Sequence, residues 1–412
     1  MVNVMNCDLT KHMPTMLAGE ELLRAMAILP EFDPALRSKP AADRLIELSN
    51  LYQLYLPSPM SLEIYSKLYL ALMRSLRKKS SRNAVVQKYE NLKAIKQQEY
   101  EGIIGGSDSF TIIGASGIGK SSAISRSLAL ITGQGIIEID DPYSKVIPCV
   151  VVQCPFDSSV KGLLLEVLRK VDEQLGSRYY QNALRIKATV DMLIGSVSQV
   201  ALNHIGLLVV DEIQNVMNSK NGKSLIGMLT QLINNSGISI CMVGTPESTV
   251  FFEQAMQLAR RSLGLQYGRL EYDQYFWDVC HRLYGYQYVR KPTVITPAIV
   301  EWLYEHSSGV ISVVVSLIHD AQEIAILNGT EELNQTVLNE AYQKRLAMLH
   351  SYIQPLPVKR QAAAPARKIV RSVQKPILGS GSIEELAAKA KAERLDVVAL
   401  LRAYMPVDEV NV

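Results

Sequence analysis

The sequence predicts a parallel α/β domain followed by a small all-helical one. Short apolar runs at 110–113, 149–153, 207–210 and 238–243 alternate with helical segments, and a weaker run covers 267–272. A glycine-rich turn follows the first run, and apolar residues at helical spacing fill 294–348. The first four runs are mostly β-branched or otherwise apolar, as strands buried on both faces of a parallel sheet must be. Their alternation with helices gives βαβ units with right-handed crossovers.

Ahead of the sheet, residues 18–72 read as helices, with Leu22, Leu23, Met26, Leu45 and Leu48 at helical spacing. Residues 74–97 are basic: Arg74, Arg77, Lys78, Lys79, Arg82, Lys88, Lys93 and Lys96 face the single acid Glu90. Such a stretch is either a solvated helical face or a contact for nucleic acid or nucleotide phosphate. In the later helical domain, Ile299, Val300, Leu303, Ile311, Val314, Val315, Ile318, Ile324 and Leu338 supply the apolar face. Residues 355–381 hold four prolines, an alanine tract and six basic residues without an acid, so a disordered or extended linker is expected there. Ser382-Ile383-Glu384-Glu385 then reads as a capping box opening a last amphipathic helix. The expected divisions are a helical region at 1–98, the α/β core at 99–290, a helical lid at 291–350, a linker at 351–381 and a docking helix at 382–412.

A chain of 412 residues suggests two or three domains at roughly 150 residues each. With 48% hydrophobic and 20% charged residues, most of it should be globular. The net charge of +3 confines any nucleic-acid surface to a local patch. Five cysteines without a CxxC pair read as buried reduced thiols, which argues against a disulfide framework or zinc site and for the cytoplasm. No signal-like stretch opens the chain, and no apolar run approaches the roughly 18 residues of a membrane span, so no membrane partner is expected.

Gly114-Ala115-Ser116-Gly117-Ile118-Gly119-Lys120-Ser121, followed by Ser122, is a complete P-loop between a strand and a helix. Its glycines let backbone N–H groups turn inward around phosphates, Lys120 reaches the β- and γ-phosphates, and the Ser121 hydroxyl is a ligand for Mg²⁺. ATP and Mg²⁺ are therefore the expected ligands. Leu207-Leu208-Val209-Val210-Asp211-Glu212 is a Walker B segment, delivering two carboxylates to the ligand edge of the sheet. Asp211 is expected to hold Mg²⁺ through water and Glu212 to act as general base. Thr245, at the tip of the run 238–243, is a candidate γ-phosphate sensor, or the N-cap of the turn that Pro246 opens. Arg260 and Arg261 are candidates for an arginine finger acting on a neighbouring subunit's nucleotide, with Arg269 a weaker one.

Together these motifs and the helical lid resemble an AAA+ ATPase. The blocks 150–163 and 175–180 resemble TnsC/TniB transposition regulators, as do 207–216, 296–347 and the lead-in Tyr55-Leu56-Pro57 with Arg82-Asn83, over roughly 50–350. The resemblance implies an ATPase that assembles as a ring or filament on double-stranded DNA and links a target-selection protein to the transposase. Hydrolysis would then be slow and regulatory. Some members work beside RNA-guided CRISPR effectors, a link that no residue here carries. One departure stands out: Gly309-Val310-Ile311-Ser312 lacks the second-sensor arginine common in AAA+ lids. Lys145, Ser158, Lys161 and Arg178 are the candidate DNA contacts, touching backbone rather than bases. The competing expectations are an origin-recognition or helicase-loader-like ATPase and a P-loop scaffold ATPase without nucleic acid. Deleting 382–412 is expected to spare nucleotide and DNA binding and to impair recruitment of the transposase or another partner. Loss of ATPase activity on that deletion would contradict a tethered docking helix.

Overall fold

The computed structural model describes residues 8–80, 109–133, 135–138, 145–218, 222–249 and 264–350. Of the two compact units of the chain, Met1–Val358 and Lys359–Val412, the second lies outside the described residues. So do Cys7, Arg260, Arg261, the basic residues from Arg82 to Lys96, the proline-rich linker and the final helix.

Six strands form one sheet: β1 (Phe110–Gly114), β2 (Ile137–Glu138), β3 (Lys145–Gln153), β4 (Ile205–Asp211), β5 (Ser239–Gly244) and β6 (Leu265–Tyr267), in the order β2-β3-β4-β5-β1-β6. All neighbours are parallel except the short β2–β3 pair. The interior of β4 is fully buried, matching its unbroken Ile-Gly-Leu-Leu-Val-Val run. β3 starts four residues before the expected run, across Pro148. A proline tolerates that position because β2 pairs only with Lys145 and Val146, leaving the edge beside Pro148 open. The expected run 267–272 is shorter and earlier, since the Leu270 N–H pairs with the Gly309 carbonyl of the lid instead of a strand.

One face of the sheet is covered by α6 (Val160–Leu175), α7 (Tyr179–Arg185), α8 (Val190–His204) and α9 (Gly222–Ser236). The other carries α1 (Gly19–Met26), α4 (Pro59–Lys79) and the P-loop helix α5 (Lys120–Thr132). Helix α4 lies directly against β4: a Cβ at Gly206 would sit 2.6 Å from Leu72 Cδ1 and 2.5 Å from the Pro148 carbonyl, so this strand position needs glycine. Ser75 Oγ donates to the Gly206 carbonyl at 2.5 Å, and buried Lys79 donates to the last carbonyls of α8, Ala201 and Leu202, at 2.6 and 2.8 Å.

The lid is built from α10 (Gln274–Gly285), α11 (Pro297–Ser307), α12 (Ile311–Leu327) and α13 (Gln335–Arg345). The short helices α2 (Ala41–Glu47) and α3 (Asn50–Gln53) join the same core through Leu48 and Leu51. The N-terminal residues therefore feed two cores rather than one of their own, and the lid core begins at Phe276, upstream of residue 291. Cys149, Cys154, Cys241 and Cys280 are buried and free, and burial pushes the Cys149 thiol up to about 12. Among the described residues no single helix is long and apolar enough to cross a membrane.

Arg44, 1% exposed, ties α2 to the lid. Its guanidinium meets both carboxylate oxygens of Glu331 at 2.7 and 2.6 Å and the Tyr288 carbonyl at 2.9 Å. Glu331→Gln strands that buried charge and should destabilise the protein toward the lower end of about 3–5 kcal/mol, read as a lower melting temperature at neutral pH. The bonds from Arg44 hold the Glu331 carboxyl below the ordinary carboxylate range. The pair's stabilisation is thus complete above that range and is lost as pH falls through the depressed folded value. The gap between variant and wild type should accordingly shrink in acid.

Candidate nucleotide site

The loop between β1 and α5 has the shape its glycines allow. Gly117 and Gly119 have φ of 79° and 98°, the left-handed region. A Cβ on Gly114 would meet Ile118 Cδ1 at 2.8 Å and the Tyr267 carbonyl at 3.1 Å. Lys120 opens α5 and folds back, its ammonium donating to the Gly114 and Ala115 carbonyls at 2.6 and 2.8 Å. Desolvation lowers its pKa, against the opposing pull of Asp211, Glu212 and Glu247.

The sheet order brings the acidic side to this loop. β5 lies between β1 and β4, so the tips of the three strands converge at one edge. Ser121 Oγ donates to Asp211 Oδ2 at 3.4 Å. A hydroxyl and a carboxylate at this spacing are hard oxygen donors of the kind that Mg²⁺ accepts beside water and phosphate oxygens. Glu212 has φ of 58°, its N–H donates to Asp211 Oδ1 at 2.8 Å, and its side chain is exposed. The Gln214 amide donates to the Glu212 carboxylate, a partner that sequence reading missed. Thr245 occupies the N-cap position of the turn Pro246–Ser248 but makes no capping bond with its side chain. Its hydroxyl bonds the Glu247 carboxylate instead, which lowers that pKa.

Ser116, Gly117, Gly119, Lys120, Ser121 and Ser122 line a cavity of about 250 Å³. Asp211, Glu212 and Thr245 close its far side. A second cavity, also about 250 Å³, adjoins it through the shared residues Gly117, Gly119, Ser122 and Ser312. This one is largely apolar: Leu54 and Leu56 come from the N-terminal segment, Ile118 from the loop, Val279 and Leu283 from α10, and Val315 from α12. The sequence signal for it was faint, since Tyr55-Leu56-Pro57 stood out only as a family likeness. The segment is held by an antiparallel bridge between Ile28 and Tyr55 and by the Tyr275 hydroxyl on the Leu56 carbonyl at 2.9 Å. A polar cavity that suits phosphates thus lies beside an apolar one.

The lid closes on the loop where the second-sensor arginine is missing. The Ser312 N–H, in the first turn of α12, donates to the Gly117 carbonyl at 3.2 Å. A Cβ on Gly117 would lie 2.4 Å from Ser312 Oγ and 2.8 Å from Val310 Cγ1.

The candidate DNA contacts lie at two edges of the sheet, Ser158 and Lys161 at one and Lys145 and Arg178 at the other. Lys161 lies exposed in the first turn of α6, at the edge where the P-loop lies. Ser158, at that edge too, is fully buried with φ of 52°, and its hydroxyl donates to the Asn215 carbonyl at 2.8 Å. That hydroxyl holds two loops together and is not offered to a phosphate, which corrects the expectation for Ser158. Arg178 is exposed beyond the far end of α6, ~24 Å away at 1.5 Å per residue. Lys145 starts β3 at the edge opposite the P-loop and pairs with Glu138 at 3.0 Å. Arg269 is exposed, and Arg260 and Arg261 lie outside the described residues.

A parallel sheet with one strand between the P-loop strand and the Asp211 strand, capped by a helical lid, defines an AAA+-type P-loop NTPase fold, a class whose members typically hydrolyse ATP. Residues 87–265, less than half of the chain, match the family described as Bacterial TniB protein, which relates this chain to those ATPases. No curated protein matches the sequence. Among solved structures, the chain is similar to the Aeropyrum pernix ORC1 protein in complex with DNA, at 16% identity and TM-score 0.41 over 66% of each chain. It thus spans just under two thirds of that protein's length. It is also similar to Drosophila ORC bound to DNA, at 12% identity and TM-score 0.44 over 95% of this chain and 82% of that one. For Cdc6p from Pyrobaculum aerophilum the values are 11%, 0.41, 79% and 83%. At these levels the strand order, not the likeness, defines the fold.

Gly117→Ala should lower the melting temperature by combining the left-handed backbone, at about 1–2 kcal/mol, with the clash against Ser312. Adding Ser312→Gly should recover the Ser312 share of the clash and leave the backbone part and the contact with Val310. No recovery in the double variant would mean that Ser312 does not press on the loop.

Proposed function

We propose that the protein is an ATP-hydrolysing AAA+ switch that assembles as rings or filaments on double-stranded DNA and links target selection to a transposase. The observation that supports the nucleotide half is the adjacency of two cavities, one lined by Lys120, Asp211 and Glu212 and the other apolar and bordered by the lid. The match of 87–265 to bacterial TniB supports the transposition half.

In this reading the inward N–H groups of residues 116–121 bind the β- and γ-phosphates. Lys120 leaves its two carbonyls to neutralise phosphate charge. Ser121 and Asp211 would hold Mg²⁺, which would screen the phosphates. Glu212 leaves Gln214 and accepts the proton of the attacking water, while Thr245 orients that water or senses the γ-phosphate. Arg260 or Arg261 reaches a neighbouring subunit's nucleotide as the charge-stabilising finger. Lys161, exposed at the P-loop edge, is the foremost backbone-tracking DNA contact among the four candidates, with Arg178 and Lys145 outside that surface. A lid that meets the loop through Ser312 rather than an arginine suits slow, regulatory turnover. The target-selection partner, CRISPR-linked or not, is reached through surfaces of the assembled filament.

Negative-stain microscopy with a non-hydrolysable ATP analogue, with and without duplex DNA, should show DNA-dependent rings or filaments. Monomers under every condition would overturn the proposal. In the same assay Lys120→Ala should form no assemblies and bind no nucleotide. Glu212→Gln should bind ATP and leave assemblies that persist, and turnover by that variant would remove Glu212 as the base.

A further inference from the structure

Among the described residues, no charged or amide side chain lines the apolar cavity. Its polar groups are hydroxyls, from Tyr52, Tyr55, Ser58, Ser61, Tyr275 and Ser316, besides the serines it shares with the phosphate end. Several backbone groups of the lining segment are already engaged. The Tyr55 N–H and carbonyl pair with Ile28 at 2.9 and 2.8 Å, and the Leu56 carbonyl accepts from Tyr275. The Ser58 N–H donates to Ser61 Oγ at 3.1 Å.

Adenine and guanine differ at the edge such a pocket would read. Adenine offers a ring acceptor beside an amino donor, whereas guanine offers a ring N–H donor beside a carbonyl acceptor. A fixed N–H next to a fixed carbonyl would suit one and leave buried groups unpaired against the other. A hydroxyl is both donor and acceptor and turns about its C–O bond. Here the hydroxyls are also linked: Tyr55 to Ser61 at 2.7 Å and Ser58 to Ser61 at 3.0 Å, and in both pairs either oxygen can be the donor. The chain of bonds can therefore reverse its polarity without moving an atom heavier than hydrogen. The apolar walls, Val279, Leu283 and Val315, still reward a large flat ring and are less covered by a pyrimidine.

We propose that this site takes purine nucleoside triphosphates without choosing between adenine and guanine, so that the protein binds and hydrolyses GTP as well as ATP. The inference rests on the reading of the joined cavities as the nucleotide site. In hydrolysis of either substrate, water attacks the γ-phosphorus, the β–γ bridging bond breaks, and the diphosphate leaves with orthophosphate as the other product.

The test is competition for a fluorescent ADP analogue on the full-length protein, by ATP, GTP and CTP in turn, followed by phosphate release from each. ATP and GTP should compete within about threefold of one another and CTP at least about tenfold more weakly, the size expected of lost apolar contact. GTP weaker than ATP by about 100-fold or more would reveal a fixed reader and overturn the inference while leaving the ATP site intact. Failure of the analogue and of every nucleotide to bind would instead sink the nucleotide reading itself, and the inference with it. Tyr55→Phe should weaken ATP and GTP by the same factor. A change of about tenfold in their ratio would assign Tyr55 a fixed role and overturn the reversible network.

Discussion

The Lys120, Asp211 and Thr245 side chains come from distant parts of the chain and meet because β5 separates β1 from β4 in a parallel sheet. Parallel strands all end at one edge, so each contributes its following residue to the same place. Reversing one strand or exchanging β4 with β5 would scatter the site. The buried interiors of β1, β4 and β5, packed on both faces, keep that edge in register. Exposed residues appear beyond the strand ends, Glu212 directly after β4 and Ser121 in the first turn of α5.

A second constraint acts across the site. The N-terminal segment and the lid share a core, and both border the P-loop: Tyr55 and Leu56 line a cavity with Gly117, Ile118 and Gly119, and the Ser312 N–H bonds the Gly117 carbonyl. The apolar cavity is built from both of these segments. The Arg44–Glu331 pair joins them without lining that cavity. Glu212 illustrates local restraint. Its left-handed backbone turns the carboxylate toward Gln214, and the N–H contact with Asp211 fixes the turn. Such a conformation is uncommon for a glutamate and persists where neighbours over-determine it.

The P-loop, the Asp211–Glu212 pair and the strand–helix alternation were legible because each is written in contiguous residues with a fixed spacing. The lid helices were legible from their apolar periodicity. The apolar cavity was not, since its walls come from 52–61, 118, 275–283 and 311–316, and each fragment by itself reads as ordinary core. Ser158 misled for a related reason. Its residue type and position suggested a surface hydroxyl, whereas a left-handed turn buries it against Asn215. Lys145 and Arg178 were not separable from Lys161 in the sequence, because only the directions of β3 and α6 place them at the edge away from the loop.

The sequence by itself determined which groups can touch phosphate and which strand ends carry them, because backbone turns and short motifs are local and depend on glycine, lysine and carboxylate at set intervals. Tertiary structure decided what surrounds those groups. It placed a hydroxyl-lined apolar cavity beside the P-loop, set Ser312 where an arginine was sought, and drew Gln214 onto Glu212. The cavity and the Ser312 contact join residues far apart in the chain, and the Gln214 contact depends on the left-handed turn at Glu212, so none follows from a spacing that a linear reading can measure.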